Sequence, residues 1–238
     1  MTGPEFAYAL ASGIIPSLVW LFFWTREDEH QPEPRSLLAA CFICGMLAVL
    51  IAIPLEKYVA GLVSSQVYQY SMWAVIEEVL KFVVVVAVAL QTKWNDEPID
   101  AMVYIISVAL GFAALENTLF ILGALSNGNL LSGIVTGSLR FFGATLVHVV
   151  SSAAIGFGLG LTFYRGYVSK AVALFIGLAA AVGIHLAFNL AIVGSGPNDT
   201  LKTFAWIWAA VVILIVLFEE VKAVRPGDAP IIHTSRLA

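Results

Sequence analysis

Along the chain, long apolar runs alternate with short polar connectors. The runs cover roughly residues 6–24, 36–55, 69–90, 100–124, 137–163, 169–193 and 202–218, each close to the ~20 residues a helix needs to cross a bilayer. Lipid offers the backbone no partners, so each run must satisfy its own hydrogen bonds as a helix. The pattern therefore predicts an all-α fold, a polytopic transmembrane helical bundle of about seven spans. The first run lacks a basic leading segment, and its PSLVWLFFW end does not look like a small-residue cleavage site. It reads as a retained span. SNGNLLSG at 126–133 and GSGPND at 194–199 read as connectors with turn chemistry.

Composition agrees with a membrane protein: 60% of the 238 residues are hydrophobic and 12% are charged. With a net charge of −4 and no basic patch, a nucleic-acid partner is not expected; the surrounding partner is the lipid bilayer. The positions of Lys and Arg orient the bundle. Arg26, Arg35, Lys93, Arg165, Lys170, Lys222, Arg225 and Arg236 fall on the odd-numbered connectors and the tail, against Lys57, Arg140 and Lys202 on the even ones. This predicts an external N-terminus and a cytoplasmic C-terminus. The organisation expected is 1–68 for the first two spans, 69–193 for a catalytic four-helix core, and 194–238 for the last span with a flexible tail. Cys41 and Cys44 lie within a span and read as packing residues. GFGLG at 156–160 follows no strand, so close helix approach explains it better than a nucleotide loop.

Ionisable residues in a bilayer core are costly and face the bundle interior. Here they are Glu77, Glu78 and Lys81 in the third run, Glu116 with Asn117 in the fourth, Arg140 and His148 in the fifth, and His185 with Asn189 in the sixth. Counted from the expected span ends, Glu77, Glu116, His148 and His185 all lie roughly 12–17 Å from the same face. Helical spacing pairs Glu77 with Lys81, His148 with Ser152, and His185 with Asn189. Four helices thus bring carboxylate, imidazole and carboxamide groups to one layer, a set suited to hydrolysis. A carboxylate removed from bulk water serves as general base, an imidazole moves protons, and amide and imidazole donors meet a developing oxyanion.

The pieces EEVLK at 77–81, FAALEN at 112–117, His148 in RFFGATLVHVVSSAAIGFGLG, and HLAFN at 185–189 resemble the PrsW family of intramembrane proteases, related to the CAAX prenyl-protease group. The resemblance spans about residues 75–190. It implies a metal-independent, glutamate-type endopeptidase of a prokaryotic cell membrane. In it, Glu77 would activate water with His148, Glu78 would support the base, and His185 with Asn189 would form the oxyanion site. Lys81, Asn117 and Ser152 would be supporting residues. Glu116 stands where the CAAX relatives carry a histidine. The substrate implied is a single-span membrane protein such as an anti-sigma factor, cut near the extracytoplasmic face. Two alternatives stand beside this reading: a zinc protease with Glu116, His148 and His185 as ligands, and a proton-coupled transporter using the same groups as a relay.

Overall fold

The structure is a computed structural model that describes residues 2–26, 31–127, 130–193 and 197–228. Among the described residues there is no strand. Seven long helices follow one another: α1 Gly3–Thr25, α2 Arg35–Leu62, α3 Gln66–Val85 extended by a π-helical turn Val86–Leu90, α4 Asp100–Asn127, α5 Leu130–Leu161, α6 Tyr167–Val193 and α7 Pro197–Lys222. The polytopic helical bundle is as expected. Six of these helices are long and apolar enough to cross a membrane. The seventh, α3, carries Glu77, Glu78 and Lys81 within one membrane-length window.

Several boundaries differ from the hydropathy reading. α2 runs to Leu62, so Glu56 and Lys57 are helical. α4 continues through Asn127 and α5 begins at Leu130, which leaves only 128–129 of the expected connector outside the described helices. The reason is that Leu130, Leu131, Ile134 and Val135 carry an apolar helical face past Ser132 and Gly133. Likewise α7 begins at Pro197, inside the expected GSGPND connector, where the fixed φ of proline suits a first helical turn. The expected flexible tail lies outside the described residues from 229 onward.

α4 is the axis of the bundle. Every residue from Asp100 to Ala114 is buried, so its sequence is apolar on all sides and shows no amphipathic stripe. α1, α2 and α5 pack directly on it. The α2 contact depends on glycine at two points: a Cβ at Gly45 would fall on the Val108 carbonyl oxygen, and one at Gly111 on that of Phe42. Such backbone approach is the role small residues play between membrane helices. Cys41 is buried in the apolar core with both cysteines free, in keeping with a packing role. GFGLG lies inside α5, where a Cβ at Gly158 would crowd the Ala173 backbone of α6.

Candidate active site

α3, α4, α5 and α6 each deliver polar side chains to one place. On α3, Glu77 and Glu78 are adjacent and so point about 100° apart; both are buried, as is Lys81. Glu78 is saturated. Its Oε1 accepts from Lys81 Nζ at 2.8 Å, Ser151 Oγ at 3.0 Å and His185 Nδ1 at 2.8 Å, and its Oε2 accepts from Ser152 Oγ at 2.7 Å. Four donors on a carboxylate stabilise its charge and lock α3 to α5 and α6. Glu77 is the opposite case. Its Oε2 is buried and has no hydrogen-bond partner, and the nearest polar groups stand back from it: Lys81 Nζ at 3.6 Å, His148 Nδ1 at 3.7 Å and His185 Nε2 at 3.7 Å.

The tautomers follow from what each partner can donate. An ammonium has no lone pair, so at 2.8 Å Lys81 Nζ donates to His148 Nδ1. The His148 proton then sits on Nε2 and is donated to Glu116 Oε2 at 3.0 Å. The His185 proton sits on Nδ1, toward Glu78, and in the neutral ring Nε2 turns its lone pair toward Glu77. Two lone-pair atoms, Glu77 Oε2 and His185 Nε2, therefore face each other too far apart to touch.

A polar strut holds the far side. Arg140 forms an ion pair with Glu116 and donates from Nε to Asn117 Oδ1; Asn117 Nδ2 donates to Thr145 Oγ1 at 2.9 Å. Arg140 opens a π-helical turn, Arg140–Ala144, just before the segment that carries His148. Lys81, Glu78, His185, His148, Glu116, Arg140 and Asn117 thus form one connected network, with Glu77 beside it. Glu77, Glu116, His148, His185 and Asn189 line a cavity of about 460 Å3 whose walls are largely aliphatic and aromatic. Glu78, Lys81, Asn117 and Ser152 lie behind that wall. Ser151 and Thr145 complete the network; Ser151, three residues from His148, was within reach of the spacing argument, whereas Thr145 became visible only through Arg140. The cavity also collects Glu56, Tyr70 and Trp73 from the α2–α3 end, and Val193 and Thr200 from the α6–α7 end.

Glu77, His148 and His185 each offer one ligand atom, all within 4.8 Å of one another. The zinc alternative named Glu116, yet Glu116 meets His148 on Nε2, the ring edge opposite the one that faces Glu77. The donor set that the bundle gathers is therefore a carboxylate and two imidazoles with Glu77 as the carboxylate, a set suited to Zn2+ and similar ions. Its fit is marked by the unpartnered Glu77 oxygen, with the Lys81 ammonium already seated on His148 Nδ1.

A helical membrane bundle that holds acids and imidazoles around an internal cavity is a membrane protein equipped for acid–base chemistry. Residues 33–218 match the family described as "PrsW family intramembrane metalloprotease", and the chain belongs to that family of membrane proteases. It is 30% identical over 154 residues to Protease PrsW of Geobacillus kaustophilus (strain HTA426), a match covering 63% of this chain and 65% of that one, just under two thirds of its length. It is 26% identical over 184 residues to Protease PrsW of Bacillus subtilis (strain 168), covering 76% and 80%. It is 23% identical over 209 residues to Protease PrsW of Clostridioides difficile (strain 630), covering 85% and 82%. No solved structure matches the chain.

Proposed function

We propose that this protein is an intramembrane endopeptidase that hydrolyses a peptide bond of a single-span membrane protein, such as an anti-sigma factor, with Glu77 as the base. The observation that carries this reading is the contrast between neighbours: Glu78 accepts from four donors, while Glu77, whose residue lines the cavity, has a buried oxygen with no hydrogen-bond partner. Water held by Glu77 and His185 gives a proton to the Glu77 carboxylate as its oxygen attacks the scissile carbonyl. His185 then receives that proton on Nε2. With Asn189, one helical turn along α6, it offers donors to the developing oxyanion before the proton passes to the leaving nitrogen. Lys81 and Glu116 hold the His148 ring from its two edges beside Glu77. The cavity gathers residues near the α2–α3 and α6–α7 connectors. With the N-terminus external and the C-terminus cytoplasmic, as the charge distribution favours, the cut lies toward the extracytoplasmic face.

The test is cleavage of a single-span substrate by purified protein in proteoliposomes, wild type against Glu77→Gln. Loss of the products with retained folding supports the assignment; cleavage at the wild-type rate refutes it.

A second reading is favoured by the Glu77–His148–His185 cluster and by the description of the matched family. Those three side chains would hold a zinc ion, which when bound supplies Lewis-acid activation of water. In that case His148 must exchange its Lys81 contact, because a metal ligand needs the same Nδ1 lone pair. Metal content measured alongside activity separates the two. Cleavage that persists in metal-free protein supports the glutamate mechanism. Activity that disappears with the metal and returns with Zn2+ replaces it.

A further inference from the structure

The wall of the cavity carries a carboxylate that the hydrolytic scheme does not use. Glu56, on the last turns of α2, lines the same cavity as Glu77, together with Tyr70 and Trp73 of α3. Its backbone is pinned there, because Trp73 Nε1 donates to the Glu56 carbonyl oxygen at 3.1 Å. The Tyr70 and Trp73 rings meet edge to face, 5.4 Å apart. Among the described residues, the Glu56 side chain makes no ion pair or hydrogen bond. The other cavity acids differ. Glu116 is neutralised by Arg140, and Glu77 faces the imidazoles. Arg140, the basic side chain on the cavity wall, is thereby committed to Glu116. A carboxylate half removed from water, on the wall of a cavity that also carries two aromatic rings, is a site for an organic cation, through a charge-assisted hydrogen bond and cation–π attraction.

We propose that Glu56, Tyr70 and Trp73 form a subsite that reads a lysine or arginine side chain of the substrate close to the scissile bond. This inference rests on the endopeptidase reading above. Trp73 is four residues before Glu77 on the same face of α3, about 6 Å along the axis. An extended peptide advances about 3.3 Å per residue, so the cation falls about two residues from the bond that is cut. The subsite sets specificity and does not touch the reacting atoms.

The experiment uses full-length protein in proteoliposomes and N-acetylated single-span peptides of Leu/Ala sequence. These differ only in carrying Lys or Gln at each position of the extracytoplasmic end, with cut sites mapped by mass spectrometry. Wild type should cut Lys peptides with kcat/KM about five- to tenfold above their Gln counterparts, the Lys lying about two residues from the cut. Glu56→Gln should erase that ratio, and Glu56→Lys should invert it in favour of a Glu-containing peptide. A structural role for Glu56 would lower all peptides alike and leave the ratio unmoved, which overturns the subsite; equal cutting of Lys and Gln peptides by wild type also overturns it. No cutting of any peptide by wild type, with equal binding of Lys and Gln peptides to Glu77→Gln protein, removes both the endopeptidase reading and the subsite. A binding preference for Lys in Glu77→Gln protein that Glu56→Gln abolishes supports the subsite apart from turnover.

Discussion

Two faces of α3 differ by a single step along the helix. On one, Glu78 is tied to Lys81, Ser151, Ser152 and His185; on the other, Glu77 shares the cavity wall with Tyr70 and Trp73 and leaves an oxygen bare. The residues are chemically the same, and their roles diverge through their partners alone. A carboxylate held by four donors fixes geometry, and one with an unpartnered oxygen can take a proton. The saturated face is what allows the bare one to exist, because it holds three helices at fixed separation around the void.

The largest expected effect lies on the bare face. Glu77→Gln should reduce turnover by about a hundredfold to ten-thousandfold, as removal of a general base does, while the melting temperature in detergent stays near wild type. A drop in melting temperature as large as that of Glu78→Gln would erase the distinction between the faces. Glu78→Gln comes next: it leaves the buried Lys81 ammonium without its closest anion, which costs about 3–5 kcal/mol. Both activity and thermal stability should therefore fall, measured by cleavage and by thermal unfolding. Arg140→Gln acts at one remove. With Glu116 loosened, His148 loses the acceptor of its Nε2–H, and kcat should drop by about tenfold to a hundredfold. Smallest is Ser152→Ala, which deletes one of four donors to Glu78 and should cost about 1–2 kcal/mol of stability with only a few-fold loss of rate.

Much of the site was readable from the chain because charge in an apolar run is conspicuous. Glu77, Glu78, Lys81, Glu116, His148 and His185 stand out against aliphatic neighbours, and counting residues from the span ends puts Glu77, Glu116, His148 and His185 in one expected layer. The boundaries were less legible. LLSGIVTG has the composition of a connector at its start and yet continues α5, because helix–helix packing tolerates Ser and Gly where apolar neighbours keep the stripe. Glu56, at the polar end of a run, resembled any connector acid; only Trp73 folding onto its carbonyl and the shared cavity distinguish it.

The sequence alone determined that the chain crosses the membrane as helices and that acids and imidazoles must turn inward. Both follow from solvation, since lipid leaves neither a backbone amide nor a carboxylate unpaired without large cost. The tertiary structure decided which carboxylate is consumed and which is kept, which imidazole edge meets which partner, and that α4 stands at the centre. Those outcomes depend on rotation about helix axes and on contacts between residues 32 to 107 positions apart. Periodicity within one helix carries no information about either.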